Sequence, residues 1–326
     1  MRLAVTGGCG FIGSHVVEAL LAAGHEVRVL DLATRGLHPG ADYAEVDVLD
    51  LPALSDAVVG REVVFHVAGV SNVDHAFADP ARCVRVNVDG TANVLEAARR
   101  TGARRVVLAS TVWVYGAMSG VEPLTEEAPV TLPRAGHVYT SSKIAAEMLL
   151  HSYHAMYGQP FTILRYGIPY GPGMREELVL ARFVRRALAG QPLTLAGDGR
   201  QFRNYVYVKD LADAHVRALS DAAENEVFVL EGDERVSIRD MAEAVRELLG
   251  DRVTIEHAPA RPGDFRGRAV SNAKAERLLG WRPVTPFREG VRQYVRSCLP
   301  GGDDRAYPDR AHADRAGRPV PAVAPD

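Results

Sequence analysis

Short, continuously apolar runs alternate with amphipathic stretches through the first half of the chain. "RLAVTG", "EVRVLD", "VVFHVAG", "RRVVLAS" and "FTILRYG" are spaced by "SHVVEALLAAG", "VNVDGTANVLEAARRTG" and "SSKIAAEMLLHSYHAMYG". A short run with no polar alternation has both faces buried, as strands inside a parallel sheet do. Helical stretches between such strands make right-handed crossovers, so the pattern predicts an α/β fold with a Rossmann doubly wound parallel sheet over roughly residues 1–167.

From Tyr170 the rhythm changes. "YGPGMREE" leads into a helical "LVLARFVRRALAG", a glycine-rich, hairpin-like "LTLAGDGRQFRNYVYV", and later the helical "VSIRDMAEAVRELLG" and "KAERLLGW". These predict a smaller C-terminal α/β substrate lobe over residues 168–203 and 232–299, covering the mouth of the sheet. The helix "DLADAHVRALS" and the strand "EVFVLEG" are expected to return to the first domain, over residues 204–231. Residues 300–326, rich in Pro, Gly, Asp and Arg without an apolar period, read as a disordered tail.

Charge and cysteine content narrow the function classes. Across 326 residues, 38 Lys and Arg face 41 Asp and Glu, for a net charge of −3 and a pI of about 6.4. No global basic field points to nucleic acid or a membrane surface, so an anionic ligand is held by local charges. Cys9, Cys83 and Cys298 have no metal-ligand spacing, and an odd, scattered set argues against a disulfide framework. We expect no metal and a reducing, cytoplasmic setting. No apolar stretch reaches the roughly 18 residues needed to span a bilayer, and the glycine loop from Gly7 is expected to leave no room for a signal peptide.

"TGGCGFIG" puts Gly7, Gly10 and Gly13 directly after the first strand and at the start of the first helix. Glycines there permit a tight turn and let a pyrophosphate approach the backbone, against the unpaired N–H groups of the helix N-terminus. Glycines alone could simply make a strand-to-helix turn. The second strand, however, ends in Asp31, placed to bond the adenosine ribose hydroxyls and to repel the 2′-phosphate of NADP, which favours NAD. Arg35 nearby works in the opposite sense. Asp47 and Val48, after the third strand, are placed to flank the adenine, although an Asp at a strand end is also ordinary loop chemistry.

"YTSSK" sets Tyr139 and Lys143 one helical turn apart on the same face. Such a pair is common by chance, and its position after "LASTVWVYG", whose strand ends at the ligand-binding edge of the sheet, gives it meaning. A phenol with a reference pKa of about 10 acts as a base near neutrality only where positive charge favours phenolate. Lys143 and the nicotinamide ring of NAD are expected to supply that charge. Thr111 offers a hydroxyl that can share the proton between substrate and Tyr139.

With these residues in view, the chain resembles the extended short-chain dehydrogenase/reductase family, in its nucleotide-sugar epimerase and dehydratase branch. "TGGCGFIGSH", "NVDGTANVLEAA", "STVWVYG", "YTSSK", "LRYGIPYGP", "RNYVYVKDLA" and "ARPGD" occur in the family's order, and the likeness covers roughly residues 1–297. The resemblance implies Thr111, Tyr139 and Lys143 as the catalytic trio. It also implies Gly7, Gly10, Phe11, Ile12, Gly13, Asp31, Asp47, Val48, Asn87, Tyr139, Lys143 and Tyr166 near the NAD. Arg203 and Arg261 would hold the substrate's diphosphate, a task that suits guanidinium forks. Thr111 and Tyr139 would touch the sugar, and the helices around "GTANVLEAARR" and "KIAAEMLLHSYHAMY" would pair across a homodimer.

Two departures from the family pattern carry information. Ile168 occupies a place where an Asn commonly reaches the substrate, so sugar contacts are partly rearranged. Val112 and Trp113 stand where 4,6-dehydratases carry an Asp-Glu pair and where decarboxylases usually keep the Glu. The expectation is therefore an NAD-dependent nucleotide-sugar epimerase, a UDP-hexose or UDP-hexuronate 4-epimerase. A dehydratase, decarboxylase or 4-keto-sugar reductase on the same scaffold is the alternative, and a non-catalytic NAD-binding protein the alternative from another class.

Overall fold

Every residue of Val63–His66, Arg105–Thr111 and Phe161–Tyr166 is buried, as strands covered on both faces require. In the computed structural model, which describes residues 1–32, 38–116, 123–130, 136–250, 253–259 and 270–299, these segments are strands β4, β5 and β6. With β1 (Arg2–Thr6), β2 (Glu26–Asp31), β3 (Asp42–Glu45) and β10 (Glu226–Leu230) they form a seven-stranded sheet in the order β10-β6-β5-β4-β1-β2-β3. All its pairings are parallel. The order reverses between β1 and β4, and a doubly wound sheet opens its ligand crevice at that point, beyond the carboxyl ends of the strands.

Each face of the sheet has its own apolar core. On one side α1 (Phe11–Ala22), α8 (Val208–Arg217) and α10 (Ala273–Leu279) cover Leu3, Val5, Phe65 and Phe228. On the other, α2 (Leu51–Val58), α5 (Gly90–Thr101) and α6 (Val138–Tyr157) cover Ala4, Val64, Leu108 and Ile163. The short helices α3 (Val73–Ala78) and α4 (Pro80–Val84) connect β4 to this second layer. The fully buried Trp281 anchors the end of α10, its indole N–H donating to the Asp210 carbonyl at 2.8 Å.

A third core joins α7 (Val179–Leu188), α9 (Ile238–Leu249) and α11 (Phe287–Ser297) to two small sheets. One comprises β7 (Ile168–Tyr170), β9 (Phe202–Tyr207) and β11 (Arg235–Ser237), and the other β8 (Leu193–Ala196) and β12 (Ile255–Ala258). The hairpin expected over 193–207 does not form. β8 pairs in parallel with β12, whereas β9 lies between β7 and β11. Gly197 and Gly199, at φ of 66° and 70°, turn the chain between them, and the turn is tied to the start of α9 through Ile238 N–H to Gln201 O and Arg239 N–H to Gly199 O. The glycines thus send the two strands into separate sheets.

Among the described residues no helix is long and apolar enough to cross a membrane. The stretch 300–326 read above as a tail, Arg35 and Arg261 all lie outside the described residues.

Candidate active site

The glycine loop joins β1 to α1 at the switch point. Gly7 has φ of 71°, and a Cβ there would stand 2.6 Å from the Ala68 nitrogen. At Gly13 a Cβ would meet the Gly7 carbonyl oxygen at 2.1 Å, so the helix can press on the loop only without a side chain. Gly10 caps α1 in extended backbone with no side chain bonding the first turn. The leading N–H groups of that turn, at Phe11, Ile12 and Gly13, are therefore left to bond an anion. Asp31, buried at the end of β2, accepts from Cys9 N–H at 2.9 Å and from Leu32 N–H at 2.8 Å. Its carboxylate both shapes the loop and ends β2 where a ribose would lie, and these features fit NAD.

The other expected cofactor residues sit along the same edge with much of their bonding capacity committed. Asp47 accepts from Leu49 N–H at 2.9 Å, and the Val48 carbonyl accepts from the Asn93 amide at 2.9 Å. Asn87, buried in a single π-helical turn at Arg85–Asp89, exchanges two bonds with the Val70 backbone and donates to Ser142 Oγ at 2.9 Å. Ser142 in turn donates to the Tyr139 carbonyl at 2.7 Å, so Asn87 ties the loop after β4 to the first turn of α6. The Tyr166 hydroxyl is 2.6 Å from His215 Nε2, while His215 Nδ1 bonds the Leu211 carbonyl. That hydroxyl therefore serves the layer beneath the sheet.

Thr111 closes β5, in register with Tyr166 on β6. Its hydroxyl oxygen accepts from Trp113 N–H at 3.2 Å, capping the tight turn Val112–Tyr115, and the same hydroxyl favours the phenolate of Tyr139. One turn further along α6 the Lys143 ammonium is buried and donates to the Ala109 carbonyl at 2.8 Å. A Cβ at Gly69 would come within 2.9 Å of Asn87 Oδ1 and 3.5 Å of Lys143 Nζ, so the loop after β4 closes on both.

Burial pushes the Tyr139 phenol up to about 12, opposed by the Thr111 hydrogen bond and by the positive charge of Arg175. Burial brings Lys143 down to about 8. Its ammonium donates one hydrogen bond to the Ala109 carbonyl, and the positive charge of Arg175 favours the Tyr139 phenolate. Arg175 stood in the sequence as one charge of "GMREE", with no spacing to mark it.

Beneath the trio lies a buried ion pair. Arg165 on β6 donates to Glu147 on α6, with Nη2 to Oε2 at 2.7 Å, and to the Tyr115 hydroxyl at 2.9 Å. Ser110 also donates to Glu147. Because Ser110 precedes Thr111, this network fixes the end of β5 against α6.

A cavity of about 290 Å³ opens between β7, α7 and β9. Ile168, Arg182, Gln201 and Arg203 line it, with Tyr205 beside them. Arg203, expected at the diphosphate, is therefore at a cavity wall, its Nη1 donating to the Phe202 carbonyl at 2.7 Å. Arg182 was not singled out by the sequence, where "LVLARFVRRAL" reads only as an amphipathic helix. Trp113, 45% exposed, stands beside the His137 ring at 5.3 Å.

The comparisons agree with this geometry. A UDP-glucose 4-epimerase of Mycolicibacterium smegmatis is 34% identical over 310 residues, covering 90% of this chain and 97% of the relative. A UDP-N-acetyl-alpha-D-glucosaminuronate decarboxylase of Bacillus cytotoxicus is 30% identical over 313 residues, covering 90% and 96%. The crystal structure of the Thermus thermophilus UDP-glucose 4-epimerase in complex with NAD superposes with a TM-score of 0.80 at 38% identity, covering 90% of this chain and 98% of that one. The sequence model of the NAD dependent epimerase/dehydratase family matches residues 3–230. The chain belongs to that NAD-dependent family, a branch of the extended short-chain dehydrogenases/reductases.

Proposed function

We propose that this protein is a nucleotide-sugar 4-epimerase that inverts C4 of a UDP-hexose or UDP-hexuronate through a transient 4-keto sugar. The observation that carries the reading is the pairing of Thr111, at the end of β5, with Tyr139, in the first turn of α6, where Thr111 favours the phenolate, with only Val112 and Trp113 where a further acid or base would stand. Tyr139 takes the proton of the C4 hydroxyl and returns it, and Thr111 holds the C4 oxygen and shares that proton. Lys143, fixed by the Ala109 carbonyl, is placed to hold the nicotinamide ribose. When bound, NAD supplies a hydride acceptor that gives the hydride back, so it ends as it began. The relatives include an epimerase and a decarboxylase, so overall similarity does not choose between the reactions. Val112 and Trp113 favour epimerisation, because elimination of water needs a base at C5 and an acid at the leaving hydroxyl, and neither side chain supplies one.

Arg203 at the cavity wall and Arg261 are assigned to the substrate diphosphate, with Arg182 beside Arg203. Residues 1–167 with 204–231 form the cofactor domain in this reading, and 168–203 with 232–299 the substrate lobe, except that β9 completes a small sheet of the lobe and α10 packs on the seven-stranded sheet. Met148, Met156 and Tyr157 are 60%, 69% and 52% exposed on α6, which supports pairing of two copies through that helix. Sedimentation of a Met148→Lys/Met156→Lys variant should then show monomer; an unchanged mass would remove α6 from the interface. An odd, scattered set of three cysteines fits a cytoplasmic enzyme.

The direct test incubates the protein with UDP-glucose, UDP-N-acetylglucosamine and UDP-glucuronate in turn. At least one should give an isomer of unchanged mass, with no net change in NADH absorbance. A product lighter by water or by carbon dioxide would overturn the epimerase assignment, and net consumption of NADH would make the protein a reductase.

A further inference from the structure

His15 lies on α1, one turn after Phe11 and on the same face of the helix. Phe11 packs against the third core, and its ring meets the His15 ring edge to face with centroids 6.2 Å apart. The imidazole is 6% exposed, and its Nε2 stands 2.9 Å from the Pro172 carbonyl oxygen. A carbonyl only accepts, so Nε2 carries the hydrogen and donates it. The helix whose first turn is left to bond an anion therefore holds, by a buried hydrogen bond, a backbone group of the segment that follows β7.

That backbone group belongs to a tight turn. Gly171 and Gly173, at φ of 140° and 80°, flank Pro172 in conformations that favour glycine, and the Met174 N–H closes the turn on the Gly171 carbonyl at 3.1 Å. A Cβ at Gly171 would come within 2.8 Å of Val208 Cγ1, so α8 presses on the turn. Met174 lines the cavity between β7, α7 and β9, and the next residue is Arg175, whose positive charge reaches Tyr139. Among the described residues no hydrogen bond or ion pair fixes the Arg175 guanidinium, and Glu177 and Asp74 act on it only as charges. Where it lies is thus set by the backbone of the turn. We propose that His15 is a positioning residue: by holding the Pro172 carbonyl it keeps Arg175 within reach of Tyr139, and so couples the cofactor helix to the acid–base centre. The inference rests on the assignment of Tyr139 as the proton acceptor of a nucleotide-sugar 4-epimerase. Thr111 from β5 and Cys83 from α4 also act on that phenol, which in turn acts on Tyr166 of β6, while His137 and Lys143 share its helix. None of these belongs to the turn.

Leucine at position 15 removes the donor, whereas glutamine can return an amide N–H to the place of Nε2. His15→Leu, His15→Gln, Arg175→Gln and the double variant His15→Leu/Arg175→Gln would be prepared as NAD-saturated full chains with ring-labelled tyrosine. Carbon NMR follows titration of the Tyr139 signal, identified by its loss in Tyr139→Phe. Turnover of UDP-glucose and UDP-glucuronate, NAD affinity and melting temperature would be measured alongside. Less positive charge near a phenol disfavours phenolate, so His15→Leu should move the titration to higher pH and lower kcat roughly three- to tenfold. His15→Gln should restore both, and NAD affinity should not change. In the Arg175→Gln background the leucine should add nothing. A titration unmoved by His15→Leu, a shift of the same size without Arg175, or no restoration by glutamine would overturn the coupling. If the leucine variant does not fold, His15→Phe, which keeps the ring volume, takes its place. The titration needs no substrate, so a wild type that converts none of the UDP-sugars sinks the epimerase reading alone, and the phenol still decides the role of His15.

Discussion

Removing Glu147 should be the most damaging single change near the site that touches no substrate. The carboxylate is 7% exposed and its partner Arg165 6%, and Arg165 contacts it through Nη2 at 2.7 Å and Nε at 3.1 Å. With the acid gone, the guanidinium keeps, among the described residues, the Tyr115 hydroxyl at 2.9 Å and the Glu126 carbonyl at 3.4 Å as acceptors, together with the Tyr115 ring at 5.0 Å. An uncompensated buried charge of this kind costs about 3–5 kcal/mol. For a chain of this size that is a fall in melting temperature of roughly 4–8 °C. Replacing both partners, as Glu147→Leu with Arg165→Met, removes the charge and should recover most of the loss. Urea unfolding of the single variants and the double variant closes the cycle. Because Ser110 also bonds Glu147 and precedes Thr111, kcat should fall in Glu147→Leu even where the protein remains folded. A single variant within about 1 kcal/mol of wild type, or a double variant as unstable as the two losses summed, would refute the account of a desolvated pair.

Further outcomes follow from the same geometry. Tyr139→Phe removes the proton acceptor and little volume, so turnover should fall about 100- to 10,000-fold with NAD binding intact; turnover at the wild-type rate would dismiss the trio. Asp31→Asn removes the charge but retains an acceptor for Cys9 N–H, so calorimetry should show NAD and NADP affinities drawing together, and an undiminished preference for NAD would place discrimination elsewhere. His66 and His215 are buried neutral, with pKa values brought down by burial to about 3 and about 4. Once unfolded they protonate near pH 6.5, so below that value the unfolded chain binds more protons and stability declines as pH falls. Each contributes at most about 1.4 kcal/mol per pH unit, and urea stability that stays flat from pH 6.5 to 5 would contradict this burial.

The parallel sheet was legible because short apolar runs alternate regularly with helical stretches, as strands covered on both faces do: Val63–His66 and Arg105–Thr111 are buried at every residue. The 193–207 segment misled because a local pattern of strand, glycines, strand describes a hairpin equally well. What separates β8 from β9 is pairing with β12, β7 and β11, contacts that lie far off in sequence. Register between distant segments has no local trace.

At the site, the residues legible in the sequence were those whose role fixes a spacing: the glycines of the loop and Tyr139 with Lys143 one turn apart. Arg175 and His137 have no such spacing, and they reach Tyr139 only because the chain after β7 and the first turn of α6 meet at the end of β5. Their presence changes how the tyrosine must be understood. In the chain alone its phenol is held up to about 12 by burial, and the Thr111 bond and Arg175 offset this only in part. Lys143 gives one of its N–H groups to the Ala109 carbonyl. The phenol therefore remains a poor base until further positive charge arrives, and the cationic form of the cofactor is such a charge. On the proposed assignment, a tyrosine buried in this way would gain basicity in the complex that also contains the hydride acceptor, and proton removal from the sugar would then be coupled to the presence of NAD by the same burial that raises the phenol's pKa.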